Sequence, residues 1–151
     1  MSDHLSESSQ PPAWRNFVSP GFGLVLSAPS NYKDESDQQY FQIVDPDTGA
    51  SFTAAVYTGP NMDLHTWATT RLEGVRAGLP LLRQEAPPEA VTGGFGQGIF
   101  AEFIGRFDSE SDPVRYLVLC FLTRAGVASF TATIPETAWL SNAAFYRRLM
   151  T

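Results

Sequence analysis

The segment Tyr116 to Leu122, YLVLCFL, limits what this chain can fold into more than any other. Successive side chains of a strand point to opposite faces. Val118, Cys120 and Leu122 therefore share one face and Leu117, Leu119 and Phe121 the other, so a strand here is apolar on both sides. An antiparallel sheet with one face in water alternates apolar and polar residues. This one must be covered above and below. Two helices read from the pattern below can cover one face, and the other then needs a further hairpin or a partner subunit, which makes a homodimer an expectation.

The flanking segments extend the sheet. GIFAEFIGRF (98–107) and VASFTATIP (127–135) bracket the central strand, joined to it by the acidic loop DSESDP and by the tight turn Arg124, Ala125, Gly126, so a three-stranded meander is predicted. Upstream, QYFQIVD (39–45) and ASFTAAVYT (50–58) enclose PDTG, whose Pro46 and Gly49 suit a hairpin turn. Phe22 to Ser27 has strand character, with Pro29 as its stop. Asn61 and Asp63 precede Leu64, Trp67, Ala68, Leu72, Val75 and Leu79 at helical spacing, ended by Gly78 and Pro80. After Pro135 a closing helix is predicted with Trp139, Leu140, Ala143, Tyr146, Leu149 and Met150 on one face. LLRQEAPPEAVTGGFGQG reads as a connector with one short strand, broken by Pro87 and Pro88. Residues 1–12 hold four serines, two prolines and almost no apolar surface, and read as a disordered tail before a single α+β domain over 13–151, an antiparallel sheet flanked by helices.

Composition narrows the partners. Ten basic against sixteen acidic side chains give a net charge of −6, which argues against nucleic acid and anionic membranes, since phosphate contacts need clustered Lys and Arg. No run approaches the roughly 18 apolar residues of a membrane span, and the N-terminus lacks the basic and apolar stretches of a signal peptide. A cytoplasmic protein without membrane insertion is expected.

The chemistry available is sparse. His4 and His65 have no histidine or cysteine at ligand spacing, so no metal site is expected, and no G-x-S-x-G elbow surrounds a serine. Cys120 sits in an apolar strand and reads as a small buried side chain. GGFGQGIF lacks the Lys-Ser/Thr of a phosphate loop and opens a strand where a dinucleotide fingerprint opens a helix. No cofactor is expected. Carboxylates alone are plentiful: eight of the sixteen, Asp34, Glu35, Asp37, Asp45, Asp47, Asp108, Glu110 and Asp112, sit in three loops. DPDTG and DSESD resemble pieces of a calcium loop but lack its full D-x-D-x-D-G-x5-E pattern, and solvated turn chemistry is the better reading. As a binding surface, Asp108, Glu110 and Asp112 would attract a basic partner. Glu102 differs, being a charge within the apolar FAEFIGRF. Either it pairs with Arg106 or Arg115, or it contacts a ligand in a pocket under a helix. Trp67 is the large aromatic of the first helix, either core or a surface anchor for a partner.

Three segments together resemble the PsbP-like superfamily: the opening SPGFGLVLSAPSNYKD, with Tyr32 where many members have tryptophan; the hairpin followed by MDLHTWATTRLEGV; and ASFTATIPETAWLSNAAFYRRLM with its anchors Trp139, Phe145 and Tyr146. The match spans about residues 17–150 and is one of hydrophobic and turn positions. It implies an α/β/α sandwich and a non-enzymatic role. Members include photosystem lumenal subunits, a small-GTPase-binding import factor and bacterial chaperones that shield hydrophobic helices of type VI secretion effectors. No site residue is carried over. The expectation is a bacterial protein-binding module with a toxin or effector as partner, acting as an immunity protein or effector chaperone; a small-ligand binder or carboxylate-based hydrolase using Glu102 and the loop acids is the alternative.

Removing residues 2–12 is expected to leave the melting temperature almost unchanged, because a segment of this composition buries little surface. A drop of more than a few degrees by calorimetry would show that it docks on the domain.

Overall fold

The computed structural model describes residues 13–19, 23–38, 40–57, 63–123 and 126–150; the expected tail 1–12, Asn61, Arg124 and Ala125 lie outside the described residues. Among the described residues ten strands and two helices follow in the order β1 (Trp14–Val18), β2 (Val25–Pro29), β3 (Lys33–Asp34), β4 (Phe41–Val44), β5 (Ser51–Tyr57), α1 (Leu64–Gly78), β6 (Leu82–Gln84), β7 (Glu89–Gly93), β8 (Gly96–Gly105), β9 (Val114–Leu122), β10 (Val127–Pro135) and α2 (Glu136–Met150). Strands β3 to β10 make one eight-stranded sheet ordered β3-β4-β5-β10-β9-β8-β6, with β7 also paired to β8. Every pairing is antiparallel, and β1 and β2 form a separate hairpin.

The expected meander is β8-β9-β10, in a register that sets Ala101 beside Val118 and Leu119 beside Phe130. β9 lies in the middle of the sheet, as its two apolar faces demand. On one side Leu117 and Leu119 join Phe41, Ile43, Phe52, Phe130, Ala132 and Ile134 in the larger core, closed by Trp139, Tyr146, Leu149 and Met150 of α2 and by Phe17, Leu26 and Ala28 of the β1–β2 hairpin. On the other, Val118 and Cys120 join Ala101 and Phe103 beneath Ala68, Leu72 and Val75 of α1. The helices thus take opposite faces, whereas the sequence reading placed them together. The reason is that each carries one narrow apolar stripe, and β9 offers two apolar surfaces to match. The hairpin joins α2, and the central strands are covered on both sides from within one chain.

Two further differences have local causes. The 81–98 connector holds two strands: β6 pairs with Phe103–Gly105 and β7 with Gly96–Phe100, the prolines falling between them where no ladder hydrogen bond is required. The glycine cluster is the β7–β8 hairpin, where Gly93 pairs with Gly96 and Gly96 takes a φ of +94°. In α2, Asn142 has non-helical dihedrals (φ −156°, ψ 43°). Leu140, expected on the apolar face, is 73% exposed: at about 100° per residue it lies off the stripe on which Trp139, Tyr146 and Met150 stay buried. The α1 boundaries follow their signals: Asp63 caps the helix by accepting from the Thr66 amide (2.8 Å) and hydroxyl (2.9 Å), which holds its carboxyl below the usual range, and the Leu79 amide closes the last turn on Val75 (2.9 Å).

Gly105 carries the closest backbone approach. A Cβ there would lie 2.1 Å from the Leu81 carbonyl oxygen, and its φ is +148°. Gly105→Ala is expected to lower stability by about 2–4 kcal/mol in chemical denaturation, through loss of the β6–β8 pairing; an unchanged midpoint would mean that β6 is not held against β8 in solution.

Candidate functional site

Glu102 lies on the α2 side of β8 and is held by two arginines. Its Oε1 accepts from Arg147 Nε (2.7 Å), its Oε2 from Arg147 Nη2 (3.2 Å), and Arg115 Nη1 stands 3.8 Å away. Arg115 also binds Glu136 through Nε (3.2 Å). Both guanidinium groups lie over the Trp139 ring, 5.2 Å and 5.0 Å from its centroid. Donating to the Glu102 carboxylate pushes the Arg147 pKa up. Of the two sequence alternatives for pairing, Arg115 is the partner found; Arg106 turns to the Ser111 carbonyl (2.6 Å). Arg147 was missed because it comes 45 residues later on α2, reached only once that helix is folded over the sheet. The chain Arg147, Glu102, Arg115, Glu136 fastens α2 to β8 and β9. Arg147 is half exposed, so water screens part of this attraction.

Loop acids do local work. Asp108 Oδ1 accepts from the amides of Glu110 (2.9 Å) and Ser111 (2.8 Å), and the Ser111 hydroxyl accepts from the amides of Phe107 and Asp108. Asp45 is buried and accepts from the Asp47 amide (2.9 Å) and the Thr48 hydroxyl (2.8 Å), closing the β4–β5 turn. These are turn-forming contacts of the kind that favours Asp at such positions. No group of three or more His, Cys, Asp or Glu among the described residues could hold a metal ion. Glu110 and Asp112 are exposed. His65 is exposed on α1, and Cys120 is buried, with burial pushing its thiol up to about 11. Cys120 is therefore a thiol at neutral pH. Trp67 is half-buried at the flank of α1, its ring 5.3 Å from that of the exposed Tyr57. It caps the smaller core without being enclosed by it.

An apolar recess lies at the other end of the sheet from Asp108, Glu110 and Asp112. These acids follow the C-terminal end of β8, while the recess opens beside its first residues, about 30 Å away along a ten-residue strand. Its volume is about 480 Å³. The buried Leu26, Phe41, Leu119 and Phe130 form a floor that reaches the core. Trp14 and the exposed Val25 make the hairpin wall, and Phe95 stacks on Phe121 at one end (4.9 Å). Leu149 and Met150 of the last α2 turn close the opposite wall, with Arg148 the charged residue among those that line it. Sequence patterning placed Phe121 in an apolar strand and Leu149 and Met150 on the apolar face of the closing helix. The shared opening depends on how the hairpin and helix end meet.

The architecture is an α/β/α sandwich: α1, the antiparallel sheet, then α2 with the β1–β2 hairpin. Solved structures share it. The chain superposes on the Ran-binding protein Mog1p of Saccharomyces cerevisiae with a TM-score of 0.63 and 14% identity, covering 93% of each chain. It superposes on PA94 of Pseudomonas aeruginosa, a protein of unknown function proposed as a regulator, with a TM-score of 0.58 and 13% identity over 91% of this chain and 93% of the other. At these identities the likeness is one of fold. No protein-family model and no curated protein matches the sequence. No helix among the described residues is long and apolar enough to cross a membrane.

Glu102→Gln is expected to cost about 1–3 kcal/mol in denaturant unfolding, because it removes the negative charge that Arg147 and the largely buried Arg115 share. The loss should be smaller in high salt; a variant as stable as the parent would remove the ion pairs from the forces holding α2.

Proposed function

We propose that this chain is a non-catalytic protein-binding module of the PsbP-like type that serves secreted toxins in the bacterial cytoplasm, as an effector chaperone or an immunity protein. The observation that carries this reading is the apolar recess of about 480 Å³ between the hairpin, the end of α2 and the β7–β8 turn. Water gains little from contact with such a surface, and apolar recesses of this size mark places where a partner's side chains bury. The fold is compatible with the role: Mog1p is a Ran-binding protein. Glu102, on which the hydrolase alternative leaned, has both carboxylate oxygens engaged by arginines, which favours binding over catalysis. The partner fitted to the recess is an apolar helical segment of a secreted protein, shielded from water until delivery.

Val25 lines the recess yet is 59% exposed, so Val25→Asp changes the wall without opening the core. The chain should form a complex with the secreted protein encoded beside it, and Val25→Asp should weaken that complex about tenfold or more by surface-binding kinetics while shifting the melting temperature little. Equal affinity in the variant would move the contact elsewhere; no complex with any neighbouring secreted protein would overturn the reading.

A further inference from the structure

On the opposite face of the sheet α1 spans β8 and β9, and beyond it the chain turns polar. β5 and β10 present Thr53, Ser129 and Thr131 on this side, with Thr53 and Thr131 directly paired in the ladder. A cleft of about 170 Å³ runs between them, Tyr40, Tyr57 and Tyr116, and Arg71 of α1. No carboxylate is among the residues that line it, in a chain with sixteen acids.

Arg71 is half-buried, and among the described residues its guanidinium meets neutral oxygens: Nε donates to Ser129 Oγ (3.1 Å) and Nη2 to the Tyr116 hydroxyl (3.5 Å). No carboxylate pairs with it among those residues. Partly desolvated cations are rarely left without a counter-charge, because Coulomb attraction is what offsets their lost hydration. The hydroxyls beside it are similarly uncommitted. Ser129 is 4% exposed, and by accepting from Arg71 it keeps its own proton to donate. Thr131 is 8% exposed, and its hydroxyl has no partner among the described residues. Every fully enclosed side-chain polar atom described does have one, so this hydroxyl opens into the cleft. One cation and several O–H donors converge on one small space.

We propose that this cleft binds a carboxylate group, gripped by Arg71 and the hydroxyls of Ser129 and Thr131. One guanidinium balances one negative charge. A phosphate, carrying about −1.5 to −2 near neutral pH, would need a second cation in a chain already at −6. The volume is below the roughly 300–1,000 Å³ of pockets for drug-sized ligands, so it admits an end group with a few carbons. Either a free short-chain acid or an acidic side chain of a partner supplies that group. This site lies across the sheet from the apolar recess and is independent of it.

The test is a titration of the full chain, labelled with ¹⁵N, against sodium acetate, against the blocked peptide acetyl-Gly-Glu-Gly-amide, and against inorganic phosphate. Acetate or the peptide should give saturable shifts at the Arg71 Nε–H and the neighbouring Trp67 indole, with dissociation constants on the order of millimolar. Acetate binding alone identifies a free acid as the source, and tighter peptide binding identifies a partner's side chain. Arg71→Gln should weaken binding about tenfold or more. Thr131→Val, nearly isosteric and so expected to fold even if the arginine variant does not, should weaken it about threefold. Shifts that never saturate, equal binding by the Arg71 or Thr131 variants, or tighter binding of phosphate than of either carboxylate would overturn the proposal.

Discussion

The structure depends on burying one strand from both sides. Leu117 and Leu119 of β9 are buried under α2 and Val118 and Cys120 under α1, each at 1% exposure or less. Fully burying a large apolar side chain is worth about 1.5–3 kcal/mol, so leaving either face of β9 wet would cost a large part of a domain's net stability. That requirement accounts for the two separate cores and for the hairpin that helps α2 roof the broader face.

The helices cover the middle of the sheet most fully, and beyond them two recesses open among the described residues. On the α2 side the hairpin and the helix end meet imperfectly above an apolar floor, leaving a recess that suits apolar side chains. On the α1 side a single helix spans β8 and β9, and the residues of β5 and β10 beyond it are threonine and serine, so the opening there is polar. The two surfaces lie on opposite faces and share no lining side chain described. One protein can therefore hold an apolar segment on one face and an acidic group on the other without competition.

Charge is used mostly for structure. Asp45, Asp63 and Asp108 cap turns or a helix start through backbone amides, and Glu102 and Glu136 clamp Arg115 and Arg147 over Trp139. The exposed Glu110 and Asp112 remain free to shape the electrostatic field around the far end of the sheet.

Local pattern was enough to place the β4–β5 hairpin, the β8-β9-β10 meander, α1 with its Asp63 cap, and the burial of Cys120, because period, turn residues and caps act between residues close in the chain. The need to cover both faces was also written in YLVLCFL. Which element covers which face was not, because that depends on how stripes from distant segments meet. The same holds for the sites. Glu102 was conspicuous in the sequence as a charge in an apolar strand, yet its main partner Arg147 stands 45 residues away. Arg71 reads in sequence as an ordinary helix-surface residue. Only the packing of α1 against a sheet that turns polar at β10 brings its charge beside Ser129, 58 residues on, with no acid among the described residues to meet it. Hydrophobic and turn signals are local and survive in one dimension; the pairing of a charge with its counter-charge, or its lack of one, is decided by tertiary distance.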